Sequence, residues 1–199
     1  MTDLPALGDL RLHGVPADSA VDEQAGTVRL TAGPRTDWFN DPASGSRQHS
    51  APALLLDVDG DFSLSARVSV EFGSTFDAGV LCLHRSEEVW AKLCFEFSPQ
   101  GEPMVVSVVT RGDSDDANAV VVEGTTVHLR VSRNGEAYAF HYSLDGGHWH
   151  FVRHFRLPVA AAGTQVGFLA QSPTGEACTA VFEDVALTAA PPADLRSGV

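Results

Sequence analysis

The side chains most able to do chemistry crowd into one stretch, Trp90-Ala91-Lys92-Leu93-Cys94-Phe95-Glu96-Phe97. With a period of two it separates into two faces. Ala91, Leu93, Phe95 and Phe97 make an apolar face suited to a sheet core. Trp90, Lys92, Cys94 and Glu96 place an aromatic ring, an ammonium, a thiol and a carboxylate in a row. Such a face can bind something polar. Lys92 and Glu96, two positions apart on the same strand face, are within reach of each other, and a carboxylate beside an ammonium is kept ionised. The pair reads either as a ligand site or as a structural ion pair on a half-wet sheet.

Glycoside hydrolysis needs two carboxylates flanking the bond. The stretch supplies one, Glu96, and the second would have to come from Glu71 or Asp115. Phe182-Glu183-Asp184 sends its two acids to opposite faces. A binding role is therefore the expected one, with Glu96 the acid if there is catalysis. Trp38 and Trp90 are candidate stacking platforms for sugar rings: Trp38 at a rim beside a loop, and Trp90 there or at the edge of the core. Trp149 shares parity with Phe151 and Phe155 and is assigned to the core.

Asp113, Asp115, Asp116 and Asn118 offer hard oxygen ligands in a polar loop, read as turn capping or, less simply, as a calcium site. Asp57-Val58-Asp59-Gly60-Asp61 resembles a calcium loop, but Val68 stands where the bidentate Glu is needed; it reads as a hairpin. His148, His150 and His154 share a parity and read as a solvated face, so no metal site is expected. Arg130 and Arg133 flank a sheet interior, and parity leaves open which one reaches a binding face. No phosphate-cradling Gly loop or Ser nucleophile elbow occurs.

The elements that position these groups are strands. Gly and Pro punctuate short runs of Val, Leu and Phe, and no amphipathic helix of three turns stands out. Phe62, Leu64, Ala66, Val68, Val70 and Phe72 point inward, with Ser63, Ser65, Arg67, Ser69 and Glu71 outward. Gly79–His84 is apolar on both parities and predicts a central strand covered on both faces. Further strands are predicted at 28–31, 36–40, 53–58, 104–110, 119–122, 127–133, 137–143, 149–155, 165–171 and 178–187. The stretch up to Gly26 reads as irregular, and 111–118 as a loop. So many strands in 199 residues require two stacked sheets.

Thirteen basic against 26 acidic side chains give a net charge of −13. That surface repels phosphate backbones and anionic lipid, so neither nucleic acid nor a membrane is an expected partner. No run reaches the roughly 20 apolar residues of a membrane span. The N-terminal residues lack a secretory pattern, and three unclustered cysteines, Cys82, Cys94 and Cys178, read as buried free thiols. A cytoplasmic location is expected.

The ordered set Thr36-Asp37-Trp38-Phe39, Phe76-Asp77-Ala78-Gly79, Trp90 to Glu96, Val106 to Thr110, Ser114 to Asn118, Ser143-Leu144-Asp145-Gly146 and Gln171-Ser172-Pro173 resembles a family of concanavalin A-like domains of unknown function. That family is often labelled "regulation of enolase". The resemblance runs from about Thr36 to Leu187. It implies an all-β jelly-roll sandwich of two antiparallel sheets, one of them concave. A single domain is expected over residues 1–188, and the end of the chain, with Pro191, Pro192, Ser197 and Gly198, reads as a flexible tail over 189–199. In the wider superfamily the concave face binds or hydrolyses polysaccharides. The expected site on that face comprises Lys92, Glu96, Thr110, Ser114, Asp115 and Asn118, with Trp38 and Trp90. Its expected ligand is a small carbohydrate or sugar-derived molecule. The alternatives are a protein-docking regulatory module and a weak hydrolase or lyase. Loss of Lys92 and Glu96 together is expected to abolish binding with little effect on stability.

Overall fold

A computed structural model describes residues 6–158 and 163–199. After a short 3-10 turn at Leu7–Asp9 every regular element is a strand: β1 Arg11–His13, β2 Asp18–Asp22, β3 Thr27–Ala32, β4 Trp38–Asn40, β5 Arg47–His49, β6 Ala53–Val58, β7 Phe62–Glu71, β8 Ala78–Ser86, β9 Val89–Phe97, β10 Pro103–Arg111, β11 Asp113–Val121, β12 Thr126–Asn134, β13 Ala137–Ser143, β14 His150–Arg156, β15 Thr164–Gln171 and β16 Cys178–Thr188. Sheet I has the order β1-β6-β15-β8-β9-β10-β11 and sheet II the order β14-β13-β12-β7-β16-β3-β2. All pairings within them are antiparallel.

The alternation in β7 does what it predicts. Phe62, Leu64, Ala66, Val68 and Val70 are buried between the sheets with Leu81, Leu83, Leu93, Phe95, Phe168 and Phe182. The outward residues make cross-strand contacts instead: Ser63 with Ser132 at 3.0 Å, and Arg67 with Glu183 at 3.0 Å. The sheets approach closely at Gly79, where a Cβ would come within 2.9 Å of Val68, Val70 and Ala180 side chains.

A second apolar layer lies on the other side of sheet I. There Ala78, Val80, Cys82, Trp90, Cys94, Val106, Val108 and Leu169 pack under Trp38 and Ala51 of the segment carrying the β4–β5 hairpin. Strand β8 is thus covered on both faces, as expected from its unbroken apolar run. The hairpin is held at several points. Trp38 Nε1 donates to the Ala51 carbonyl at 3.0 Å, Asn40 N–H to Ser114 Oγ at 2.9 Å, and Asn40 Nδ2 to the Gly112 carbonyl at 2.8 Å.

Several expectations are corrected. The stretch before Gly26 contains β1 and β2, and the polar segment after Arg111 is the edge strand β11. Both are stabilised by backbone ladders and bury little side-chain surface, so the hydrophobic pattern does not reveal them. Trp149 is not core. Strand β14 carries an extra residue opposite Phe140/His141, which reverses the facing. Phe155 is buried against Tyr138 and Phe140, while Phe151 is exposed and Trp149 lies under the Arg130 guanidinium at 4.2 Å. The last residues, expected as a flexible tail, fold back on sheet II. Leu195 is buried, its carbonyl 2.9 Å from His141 Nε2, and Arg130 donates to the Gly198 carbonyl at 2.7 Å.

Candidate functional site

Register builds the site across four strands. Cys82, Lys92, Val108 and Asp116 stand side by side on β8, β9, β10 and β11, all on the face of sheet I turned away from sheet II. Two rows along on the same face, Gln171, Ala78, Glu96 and Met104 do the same on β15, β8, β9 and β10. Over this face a pocket of about 200 Å³ opens, lined by Asp37, Phe39, Phe76, Lys92, Glu96, Val106, Val108, Asp116 and Gln171. Val106 and Val108 of β10 form an apolar floor, with Lys92, Glu96 and Gln171 to one side of it and Asp116 to the other, and two aromatic residues complete the lining.

The polar groups form a chain. Lys92 Nζ donates to Asp37 Oδ1 at 3.0 Å and to Gln171 Oε1 at 2.8 Å. Gln171 Nε2 donates to the Phe76 carbonyl at 3.0 Å and reaches Glu96 Oε2 at 3.5 Å. Lys92 is only 2% exposed. Burial pulls its pKa down, but the Asp37 carboxylate, helped by Cys94 and Glu96, outweighs that and leaves it raised and charged. Glu96 behaves oppositely: burial dominates and, with Asp37 and Asp116 nearby, lifts it to about 7 against the pull of Lys92. The pocket therefore holds a carboxyl that both accepts and donates hydrogen bonds near neutral pH.

Phe76 is the unusual backbone position. It has φ 70°, a left-handed conformation that a bulky residue rarely adopts. The surrounding turn holds it there. Asp77 accepts from Gly73 N–H at 2.9 Å, Ser74 N–H at 2.8 Å and Ser172 Oγ at 2.7 Å, and Phe76 N–H donates to the Phe97 carbonyl at 2.7 Å. The result is an aromatic ring, 37% exposed, presented at the pocket.

Of the residues expected to bind ligand, the fold brings Lys92 and Glu96 to the pocket and keeps others out of its lining. Trp38 is not at a rim but wholly buried, as is Trp90, whose Nε1 donates to the Glu87 carbonyl at 3.2 Å. Thr110 and Ser114 are buried and bond to each other at 2.9 Å; Ser114 anchors the hairpin. Asp115 faces the opposite way from Asp116 and pairs with Arg153 at 3.0 Å, tying the sheet edges together. Asn118, opposite Val106, is exposed outside the lining. Asp113 pairs with Arg47 at 2.9 Å. Strand alternation sends Asp113 and Asp115 to one face and Asp116 and Asn118 to the other, so the segment considered for calcium does not converge on one point. Arg130 and Arg133 both belong to sheet II and neither reaches the pocket. Cys82, Cys94 and Cys178 are free, buried and pushed up in pKa by burial. His148 and His150 pack edge to face at 4.7 Å on sheet II.

Sequence reasoning missed Asp37, Phe39, Phe76 and Gln171 as site residues, and took Asp116 only as part of the 113–118 segment. Their only signal was membership in the segments that carry the family resemblance; the spacing of one strand cannot show what a hairpin lays over it.

Residues 15–190 match the family described as "Protein of unknown function (DUF1349)", and the chain belongs to that family. A solved structure of a functionally unknown protein from Saccharomyces cerevisiae is similar over 94% of this chain and 99% of that one, with 26% identity and a TM-score of 0.84. The GH43 protein BlXynB from Bacillus licheniformis matches 92% of this chain at 18% identity and TM-score 0.69, but the match spans only 37% of that enzyme. The polysaccharide lyase family 18 protein aly-SJ02 r-CATD matches 91% of this chain and 94% of its own at 16% identity, with a TM-score of 0.57. These likenesses, with the two stacked antiparallel sheets, establish the concanavalin A-like jelly-roll fold. No curated protein matches the chain. No helix among the described residues is long and apolar enough to cross a membrane.

Proposed function

We propose that this protein binds a small carbohydrate or sugar-derived ligand in the pocket over sheet I. The observation that carries the reading is the pairing of two aromatic walls, Phe39 and Phe76, with Lys92, Glu96, Asp116 and Gln171 in a space sized for about one ring. Sugar rings present apolar C–H faces to aromatic rings and hydroxyls to polar groups at their edges. Phe76 would stack, Glu96 and Asp116 would take hydroxyl hydrogen bonds, and Lys92 with Gln171 would hold Glu96 in place. The carbohydrate-active proteins that share the fold are consistent with this reading. The buried free thiols fit a reducing compartment, which is why we place the protein in the cytoplasm.

The test is a thermal-shift titration of the purified chain with mono- and oligosaccharides and uronic acids, since a ligand that binds only the native state raises the melting temperature. A dose-dependent rise with one sugar class, lost in Phe76→Ala, supports the site. A cooperatively melting protein that no sugar shifts overturns it and favours the alternative of a protein-docking regulatory module. Turnover of the bound sugar, lost in Glu96→Gln, would extend binding to hydrolysis or elimination.

A further inference from the structure

A second constellation lies farther along the same face, beyond the Trp38–Trp90 contact. His13 ends β1, His49 ends β5 and His84 lies near the end of β8. Their rings form a nearly equilateral triangle, with centroids 5.3, 5.1 and 5.3 Å apart. One nitrogen from each falls within 4.8 Å of the other two. Trp38 stacks on His49 at 4.1 Å with the planes 19° apart and backs the cluster.

The hydrogen bonding leaves lone pairs free there. Gln165 Nε2 donates to Asp57 Oδ1 at 3.0 Å, so its Oε1 is the end facing His84 Nδ1, at 3.2 Å. His84 must then carry its proton on Nδ1, and its Nε2 keeps a lone pair. That Nε2 is buried with no hydrogen-bond partner, and so are both ring nitrogens of His49. Buried polar atoms are normally satisfied, and three on two adjacent imidazoles need a reason.

We propose that His13, His49 and His84 bind one divalent transition-metal ion, with zinc the ion that imidazole ligands and a tetrahedral frame suit best. Three imidazoles leave a fourth position on the ion for water or another ligand. The Asp57–Gln165–His84 relay is the outer-shell arrangement that orients a ligating histidine. A tetrahedral zinc with bonds of 2.0–2.1 Å sets its nitrogens about 3.3 Å apart, so the triangle tightens on loading. Edge strand β1 and the β4–β5 hairpin can make that movement, while β8 is fixed between two apolar layers. The ammonium of Lys92 nearby is offset by Asp37. The ion would staple the hairpin to sheet I and so fix Asp37 and Phe39 at the sugar pocket. The site does not depend on what that pocket binds.

The experiment uses the untagged full chain, stripped with chelator. Zinc is titrated by chelator competition, and cobalt is read by its visible absorption, which is intense for tetrahedral nitrogen ligation. The expected result is one ion per chain and a tetrahedral cobalt spectrum. Affinity should fall about 100-fold or more in His84→Ala and in His49→Phe, which retains the stack on Trp38, and about 10–100-fold in Gln165→Leu. The double variant His148→Ala/His150→Ala should bind as the parent does. Melting curves confirm that each variant is folded. Failure of the folded parent to bind zinc overturns the proposal. So does binding that survives His84→Ala and His49→Phe but disappears with His148 and His150, which would mean an adventitious surface ion only.

Discussion

Lys92 Nζ lies 3.0 Å from Asp37 Oδ1, in an ion pair with side-chain exposures of 3% and 16%. The pair joins the middle of sheet I to the segment that covers it. Removing one partner leaves a buried charge uncompensated, which typically costs about 3–5 kcal/mol, whereas replacing both with apolar groups is often near neutral. Asp37→Ala should therefore destabilise the protein by about that amount in urea denaturation, and Lys92→Met/Asp37→Leu should regain most of it. A loss below about 1 kcal/mol in Asp37→Ala would show the pair to be solvated. The buried pair argues against the expectation that Lys92 and Glu96 can be replaced together at little structural cost.

Glu96 supplies a pH dependence. Its folded pKa of about 7 lies above the ordinary carboxylate value of 4.5, so between these values the folded state holds a proton that the unfolded state has released. Stability from this group is complete below about pH 4.5 and declines as pH rises through 7, by up to about 3 kcal/mol. Glu96→Gln should flatten the denaturation midpoint over pH 4.5–7.5 relative to the parent. An unchanged slope would place the Glu96 titration elsewhere.

Phe76 stores backbone strain at φ 70°. Glycine takes that conformation without penalty and alanine does not. Phe76→Gly should therefore be more stable than Phe76→Ala by about 1 kcal/mol, the reverse of the usual strand or helix ranking, while both lose the sugar-dependent rise in melting temperature. Equal stabilities would mean that the turn relaxes.

Gly167 has no room for a side chain: a Cβ there would stand 1.9 Å from the Leu54 carbonyl oxygen. That atom belongs to the β6 backbone, so the strands themselves must part. Gly167→Ala should lower stability by about 1–3 kcal/mol or more, read as a fall in the denaturation midpoint. A neutral outcome would mean that β6 and β15 can separate freely.

The three thiols, all buried, should resist a thiol reagent in the native protein and react together once it is unfolded. Fast labelling of Cys94 in the folded state would mean that the hairpin opens readily.

The amino-acid sequence by itself determined the sandwich. Its period-two alternation in Phe62–Phe72 and its doubly apolar run at Gly79–His84 reflect burial on one face and on two, and burial is what hydrophobic pattern encodes. It also placed Lys92 and Glu96 on one strand face, since side-chain parity is local. Parity cannot say what lies above a face, and only the tertiary structure decided that. The β4–β5 hairpin folds over sheet I, drawing Trp38 into the core and bringing Asp37 onto Lys92 across 55 positions of chain. Register across β10 and β11 puts Asp116, rather than Asp115, on the pocket face beside Val108. His13, His49 and His84 stand 36 and 35 positions apart with no motif between them, and meet because β1 and β8 belong to one sheet while the hairpin lies across both. A bulge in β14 overrides the parity that put Trp149 inside. In each case the deciding contact is long-range, and a local pattern carries no record of it.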